Sequence, residues 1–209
     1  RNFHRDDLPM ITGLFNKLSG TENTLKAYDE SSMSELLSLP PCIPENDCFV
    51  ALSGESIIGF AIVYRELKIN RTVTNIGVNQ DYRKSGIEQD LLQVVIDYAR
   101  SNKSSVLHVQ VPTEADDTRQ ILLSMDFTEV KQYWAMQHRK GSPTGMSMPE
   151  GFTLRSFKIG TDESSLTKIQ NAAFNDHWGF CPNTEEEIAA KVRFSRSFPD
   201  GIIFAMKDK

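Results

Sequence analysis

The chain has 209 residues, 39% hydrophobic and 24% charged, a globular balance that suits one large domain or one domain with part of another. Its 23 Lys and Arg against 28 Asp and Glu leave a net charge of −5, which argues against nucleic acid as the main partner, because phosphate backbones need an electropositive face. No apolar run approaches the length of a bilayer span and no signal-peptide pattern opens the chain, so no membrane partner and a cytoplasmic location are expected, with Cys42, Cys48 and Cys181 as reduced thiols.

Asp6 and Asp7 precede apolar residues at helical spacing (Leu8, Ile11, Leu14, Phe15, Leu18), which predicts a helix capped by one of the two carboxylates. Ser31 and Ser32 ahead of Met33, Leu36 and Leu37 predict a second, short helix, ended by Pro40, Pro41 and Pro44. The period then changes. Residues 48–52 and 57–66 read as a hairpin turning at Gly54, and 72–78 reads as a third strand weakened by Gly77. Leu91, Leu92, Val95, Ile96 and Ala99 give 87–102 a helical period, 106–111 is again a strand, 114–125 a short helix, and 127–138 a final strand or hairpin. The order contains a strand, a crossover helix and a parallel strand.

Residues 140–151 (KGSPTGMSMPEG) read as a linker, and the opening pattern then begins again: a strand at 152–157, helices at 164–174 and 184–194, and a strand at 202–206. The expected organisation is a domain at 1–139, the linker at 140–151, and the first half of a similar domain at 152–209. Opening on Arg1 and stopping within that pattern, the chain reads as a piece of a longer product.

The chemically informative stretch is 75–92, where a strand ends, a polar loop with two adjacent cations and a glycine turns, and a helix begins. Backbone N–H groups at a helix start point outward with partial positive charge, Gly86 lets a ligand approach the backbone, and Arg83 and Lys84 add charge, an arrangement suited to a diphosphate. A plain strand-to-helix turn has the same outline. Ser85-x-x-Glu88 also matches a capping box, whose side chains would satisfy the first amides internally.

This stretch resembles the acetyl-CoA-binding motif of the GCN5-related N-acetyltransferases (GNAT), Gln/Arg-x-x-Gly-x-Gly/Ala, standing here as Arg83-Lys84-Ser85-Gly86-Ile87-Glu88. The resemblance follows the element order of 1–139 and is specific in 72–99. It implies an α/β (α+β) fold with a GNAT-like mixed central sheet flanked by helices, and acetyl-CoA as cosubstrate. Arg83, Lys84, Ser85, Gly86 and Ile87 would bind the pyrophosphate through main-chain N–H groups. Ile76 and Val78 would pair with the pantetheine arm at an edge opened by a bulge near Gly77. Glu88 departs from the motif, placing a carboxylate where phosphate oxygens approach.

The family moves an acetyl group from the thioester to an amine, and an alkylamine near ~10.4 must first lose a proton. The strand where many relatives carry a carboxylate has no acid here, and Leu122 stands where a tyrosine acid is usual. Tyr98 and Tyr133 read more readily as packing residues, so the catalytic residues are unknown. The run 171–182 gathers His177, Trp178 and Phe180 and is similar to the opening of the second domain in mycothiol synthase-like members of the family, where it would be an acceptor lid or a cap on the local core. The resemblance implies an N-acetyltransferase acting on a small-molecule or peptide amine, with catalysis in the second domain; the alternative is a non-catalytic CoA-binding or structural module. No metal is expected at His4, His108 or His138.

Overall fold

A computed structural model describes residues 1–20, 26–134, 136 and 149–207. A single 3-10 turn, Arg5–Asp7, runs into α1 (Leu8–Ser19), which ends at Gly20 in a left-handed conformation. Asp7 does not cap α1. Its carboxylate accepts from the His4 amide at 2.7 Å and from the Arg1 guanidinium at 2.7 and 2.8 Å, so it closes the turn before the helix. The second helix, α2 (Glu30–Leu37), is capped by Asp29, which accepts from the Ser32 amide at 2.8 Å. The one-turn α3 (Pro44–Asp47) delivers the chain to the sheet.

Four strands form that sheet in the order β1 (Cys48–Ser53), β2 (Ser56–Glu66), β3 (Arg71–Val78), β4 (Val106–Val109). The first three are antiparallel; β3 and β4 are parallel and joined by α4 (Ile87–Ser101), as the order of periods predicts. Alternation along β2 divides the core. Phe60 and Ile62 pack in one buried cluster with Ile11, Leu14, Met33 and Leu37 of α1 and α2, while Ala61 and Val63 pack in the other with Leu91 and Val95 of α4. The bulge expected near Gly77 is absent: β2 and β3 pair without a shift from Gly59–Val78 to Glu66–Arg71, and the irregularity in the sheet lies at Ala51/Leu52 of β1. Gly77 serves packing instead. A Cβ there would stand 2.6 Å from Leu18 Cδ1 and 2.7 Å from Phe60 Cζ.

After β4 comes α5 (Asp116–Ser124). The strand expected at 127–138 does not form in its described part, 127–134, which has no ladder partner among the described residues and leaves Val130, Tyr133 and Trp134 exposed. Its apolar residues fall on both faces of a strand, Phe127 and Tyr133 on one and Val130 and Trp134 on the other, so neither face is set apart as the buried one. Within the proposed linker, 140–148 lies outside the described residues. Beyond it, β5 (Phe152–Ser156) and β6 (Ile203–Lys207) form an antiparallel pair, with α6 (Glu163–Phe174) and α7 (Glu185–Arg193) between them. Phe157, Ile188, Val192 and Phe204 make a small separate core.

Contacts at two places join this second part to the first. Trp178, in the α6–α7 connection, stacks on His108 of β4 with centroids 5.5 Å apart and rings 4° from parallel. Beside it, Arg71 donates to the Gly179 carbonyl at 2.6 Å and Lys68 to that of Asn183 at 3.1 Å. On the far side, Arg196 lies over the Tyr28 ring at 4.2 Å and donates to the carbonyls of Lys26 and Ala27, both at 2.6 Å. None of the helices described is long and apolar enough to cross a membrane.

Candidate functional site

The gap between β3 and β4 and the loop that follows β3 make the candidate site. β3 and β4 pair only from Arg71–Val106 to Thr74–Val109, and the last contact between them is the Gln110 amide on the Thr74 carbonyl at 3.4 Å. Beyond Thr74 the strands part. Main-chain groups of alternate residues point to the same side of a strand, so Ile76 and Val78 present theirs in the direction that Thr74 does, toward the missing partner. The Asn79 amide, on the opposite alternation, bonds back to the Ile58 carbonyl of β2 at 2.8 Å, as this parity requires. Ile76 and Val78 thus offer N–H and C=O groups with no ladder partner among the described residues. The side chain of Val78 is buried against α4, and that of Ile76 packs beside it. The β3–β4 pairing stops at Thr74–Val109, and no bulge in β3 accompanies it.

The loop turns through a 3-10 segment, Gln80–Tyr82, started by the Asn79 side chain accepting from the Asp81 amide. Arg83 follows in extended backbone, Lys84 is left-handed at φ +63°, and Gly86 is left-handed at φ +93°. Left-handed residues of this kind occur where backbone amides gather into anion-binding concavities. The amides of Lys84, Ser85, Gly86, Ile87, Glu88 and Gln89 have no acceptor among the described residues. The capping box is not formed: Ser85 Oγ donates back to the Tyr82 carbonyl, and Gly86, which cannot cap through a side chain, is the N-cap of α4. A Cβ added at Gly86 would meet nothing within 4 Å, so the space beside it is open.

Arg83 and Lys84 are exposed. Lys84 pairs with Asp117 at the start of α5 at 3.3 Å, an exposed and strongly screened pair, while Arg83 has no ion-pair partner among the described residues. The structure therefore brings together Ile76, Val78 and the run from Arg83 to Ile87. It adds the amides of Glu88 and Gln89, which the rule that a helix leaves its first N–H groups free could have supplied.

The residues considered for proton transfer are committed elsewhere. Tyr98 donates to the Asp47 carboxylate and packs edge-on against Phe49 at 5.7 Å, and burial together with that hydrogen bond raises the phenol above its ordinary value. Leu122 is buried in α5, and Tyr133 is 70% exposed. On β3, Thr74 donates to the Ile62 carbonyl at 3.0 Å and Thr72 shares a hydrogen bond with Ser104 at 2.7 Å. His177 meets the edge of Phe174 at 4.7 Å, Phe180 lies against the same ring, and Trp178 rests on His108 rather than capping its own core.

The sequence model of the acetyltransferase (GNAT) family matches residues 16–121, a span that contains both the open edge and the loop. The chain is 31% identical over 134 residues to a mycothiol acetyltransferase of Stackebrandtia nassauensis, covering 63% of this chain and 43% of that protein. It spans about half the length of the curated relatives it matches. Among solved structures it shares its fold with a GCN5-related N-acetyltransferase from Sphaerobacter thermophilus, at a TM-score of 0.69 and 15% identity, covering 99% of this chain and 66% of that one. It is also similar to yncA of Salmonella typhimurium, solved with its cofactor acetyl-CoA, at a TM-score of 0.51 and 17% identity over 63% of this chain and 80% of that one. With half of its length matched by the family's sequence pattern and its sheet shared with solved members, the chain belongs to the acetyltransferase (GNAT) family.

Proposed function

We propose that the chain is part of an acetyl-CoA-dependent N-acyltransferase that transfers an acetyl group to an amine of a small-molecule or peptide acceptor. In this reading, 1–139 is one acetyltransferase-like domain, 140–151 a linker, and 152–209 the opening of a second domain that carries the catalysis. The observation that supports it is the combination of free amides from Lys84 to Gln89 with the unpaired edge at Ile76 and Val78. An anion held on a row of amides at a helix start, continuing into an extended arm added to a strand edge, matches the two parts of acetyl-CoA that a protein must hold. The residues fit that cosubstrate: Arg83 and Lys84 supply charge to the phosphates, Lys84 to Ile87 supply main-chain donors, and Ile76 and Val78 would orient the arm so that its thioester lies in the gap. The similarity to yncA with its acetyl-CoA supports the cosubstrate, and the mycothiol acetyltransferases support a small-molecule acceptor.

A second reading, a non-catalytic CoA-binding module at 1–139, is favoured by one observation: β3 carries no acid and Tyr98 is tied to Asp47. Both readings need the cradle. Thermal melting with millimolar acetyl-CoA tests it. Ligand at about ten times its Kd stabilises a folded chain by about 1.4 kcal/mol. That raises the Tm by roughly 3–6 °C at this size. Gly86→Trp, which fills the open space, should abolish the shift while the far-ultraviolet spectrum is kept. An unchanged melting curve for the native chain would remove the cosubstrate from this half.

A further inference from the structure

Glu88 is placed unlike any other acid near the cradle. It shares the sheet-facing side of α4 with Leu91, Leu92, Val95 and Ala99 and is only 5% exposed. Its Oε2 is buried with no hydrogen-bond partner. A carboxylate in such a place needs some compensation, since burying an unpaired charge is strongly unfavourable. No cation supplies it: Lys84 is taken by Asp117, and no ion pair is made to Glu88 among the described residues. The compensation available is the field of the helix start. Glu88 stands in the first turn of α4, close in sequence to the free amides of Lys84 to Gln89 and at the positive end of the helix dipole, and side chains in a helix tend back toward its N-terminus.

We propose that Glu88 is an internal anion that competes with the diphosphate of CoA for the start of α4, and so sets this half to a weak affinity for its cosubstrate. The inference rests on the reading of residues 83–87 as a CoA cradle and deepens it. A diphosphate brought onto those amides comes close to the Glu88 carboxylate, and like charges repel. The neutral pantetheine arm, held at Ile76 and Val78, meets no such charge. Glu88 thereby discriminates between the two parts of one ligand.

Calorimetric titration of the full chain with CoA and, separately, with pantetheine tests this on the native chain and on Glu88→Gln, which keeps the shape and removes the charge. CoA should bind Glu88→Gln at least tenfold more tightly than the native chain, with the pantetheine response unchanged. Equal CoA affinity in both overturns the role of Glu88 and leaves the cradle standing. An equal gain for pantetheine also overturns it, because the side chain would then act by filling space. Absence of CoA binding to either protein removes the cradle and this inference together. Should Glu88→Gln fail to fold, Glu88→Ala makes the same comparison.

Discussion

Gly77 shows how a residue can be constrained by what surrounds it. Leu18 of α1 and Phe60 of β2 already fill the place where its side chain would stand, and Phe60 is itself held by a stacked contact with Phe15 at 6.0 Å. Gly77→Ala therefore overpacks the α1 face and should destabilise the chain by about 1–3 kcal/mol, with the pairing of β2 and β3 intact. Urea unfolding measures the loss, and a variant within 0.5 kcal/mol of the native chain would mean the site relaxes freely. The row of free amides was legible at this scale, because Gly86 at the start of a helix marks where main-chain donors have no partner of their own. The same letters hid two other facts. Ser85 and Glu88 stand three apart, the spacing of a capping box, and sequence cannot say whether they face each other. In the fold Ser85 turns back to Tyr82 and Glu88 turns inward. The left-handed backbone at Lys84 gave no signal either, since lysine has no preference for it.

At the scale of elements, helices and strands with a clear period formed where the pattern puts them, and the exception is instructive. The apolar residues of 127–134 do not alternate as a half-buried strand requires, and no ladder forms there among the described residues. The Asp7 cap on α1 failed for a different reason: Arg1 and the His4 amide, on the turn before, captured the carboxylate first. A comparable capture organises the second part. Asp162, just ahead of α6, accepts from the Arg155 guanidinium and from the Lys158 amide at 2.8 Å, which holds its carboxyl below the ordinary value. Because the folded value is the lower one, this stabilisation is complete above the ordinary carboxylate range and is lost as acid carries the pH down through the depressed value. Asp162→Asn should flatten the acid limb of the stability profile and lower stability at neutral pH. An unchanged acid limb would show that the Arg155 contact does not couple to folding.

The seams between the two parts join residues far apart in the chain, such as Lys68 and Asn183, so no local pattern in the sequence could announce them. The His108–Trp178 stack gives one of them a spectroscopic handle. Burial, and then the nearby Arg71 charge, lower the His108 imidazole below its ordinary value. Folding thus favours the neutral ring, and this contribution is complete above about 6.5 and declines as the pH falls through the lowered value. Trp178→Ala should uncover the ring and move its midpoint upward, read from the imidazole resonances in an NMR titration. A midpoint that does not move would mean the indole contributes nothing to the seam.

Gly179 sits at that seam in a left-handed conformation, with the Arg71 guanidinium nitrogen 2.8 Å from where its Cβ would be. The same guanidinium is paired with Glu66. Arg71 is also the first residue of β3, the strand whose far end supplies the open edge. A single methyl group at position 179 would meet that guanidinium and disturb its hydrogen bond to the Gly179 carbonyl, so a change in the second part would be felt at the root of the strand that supplies the open edge.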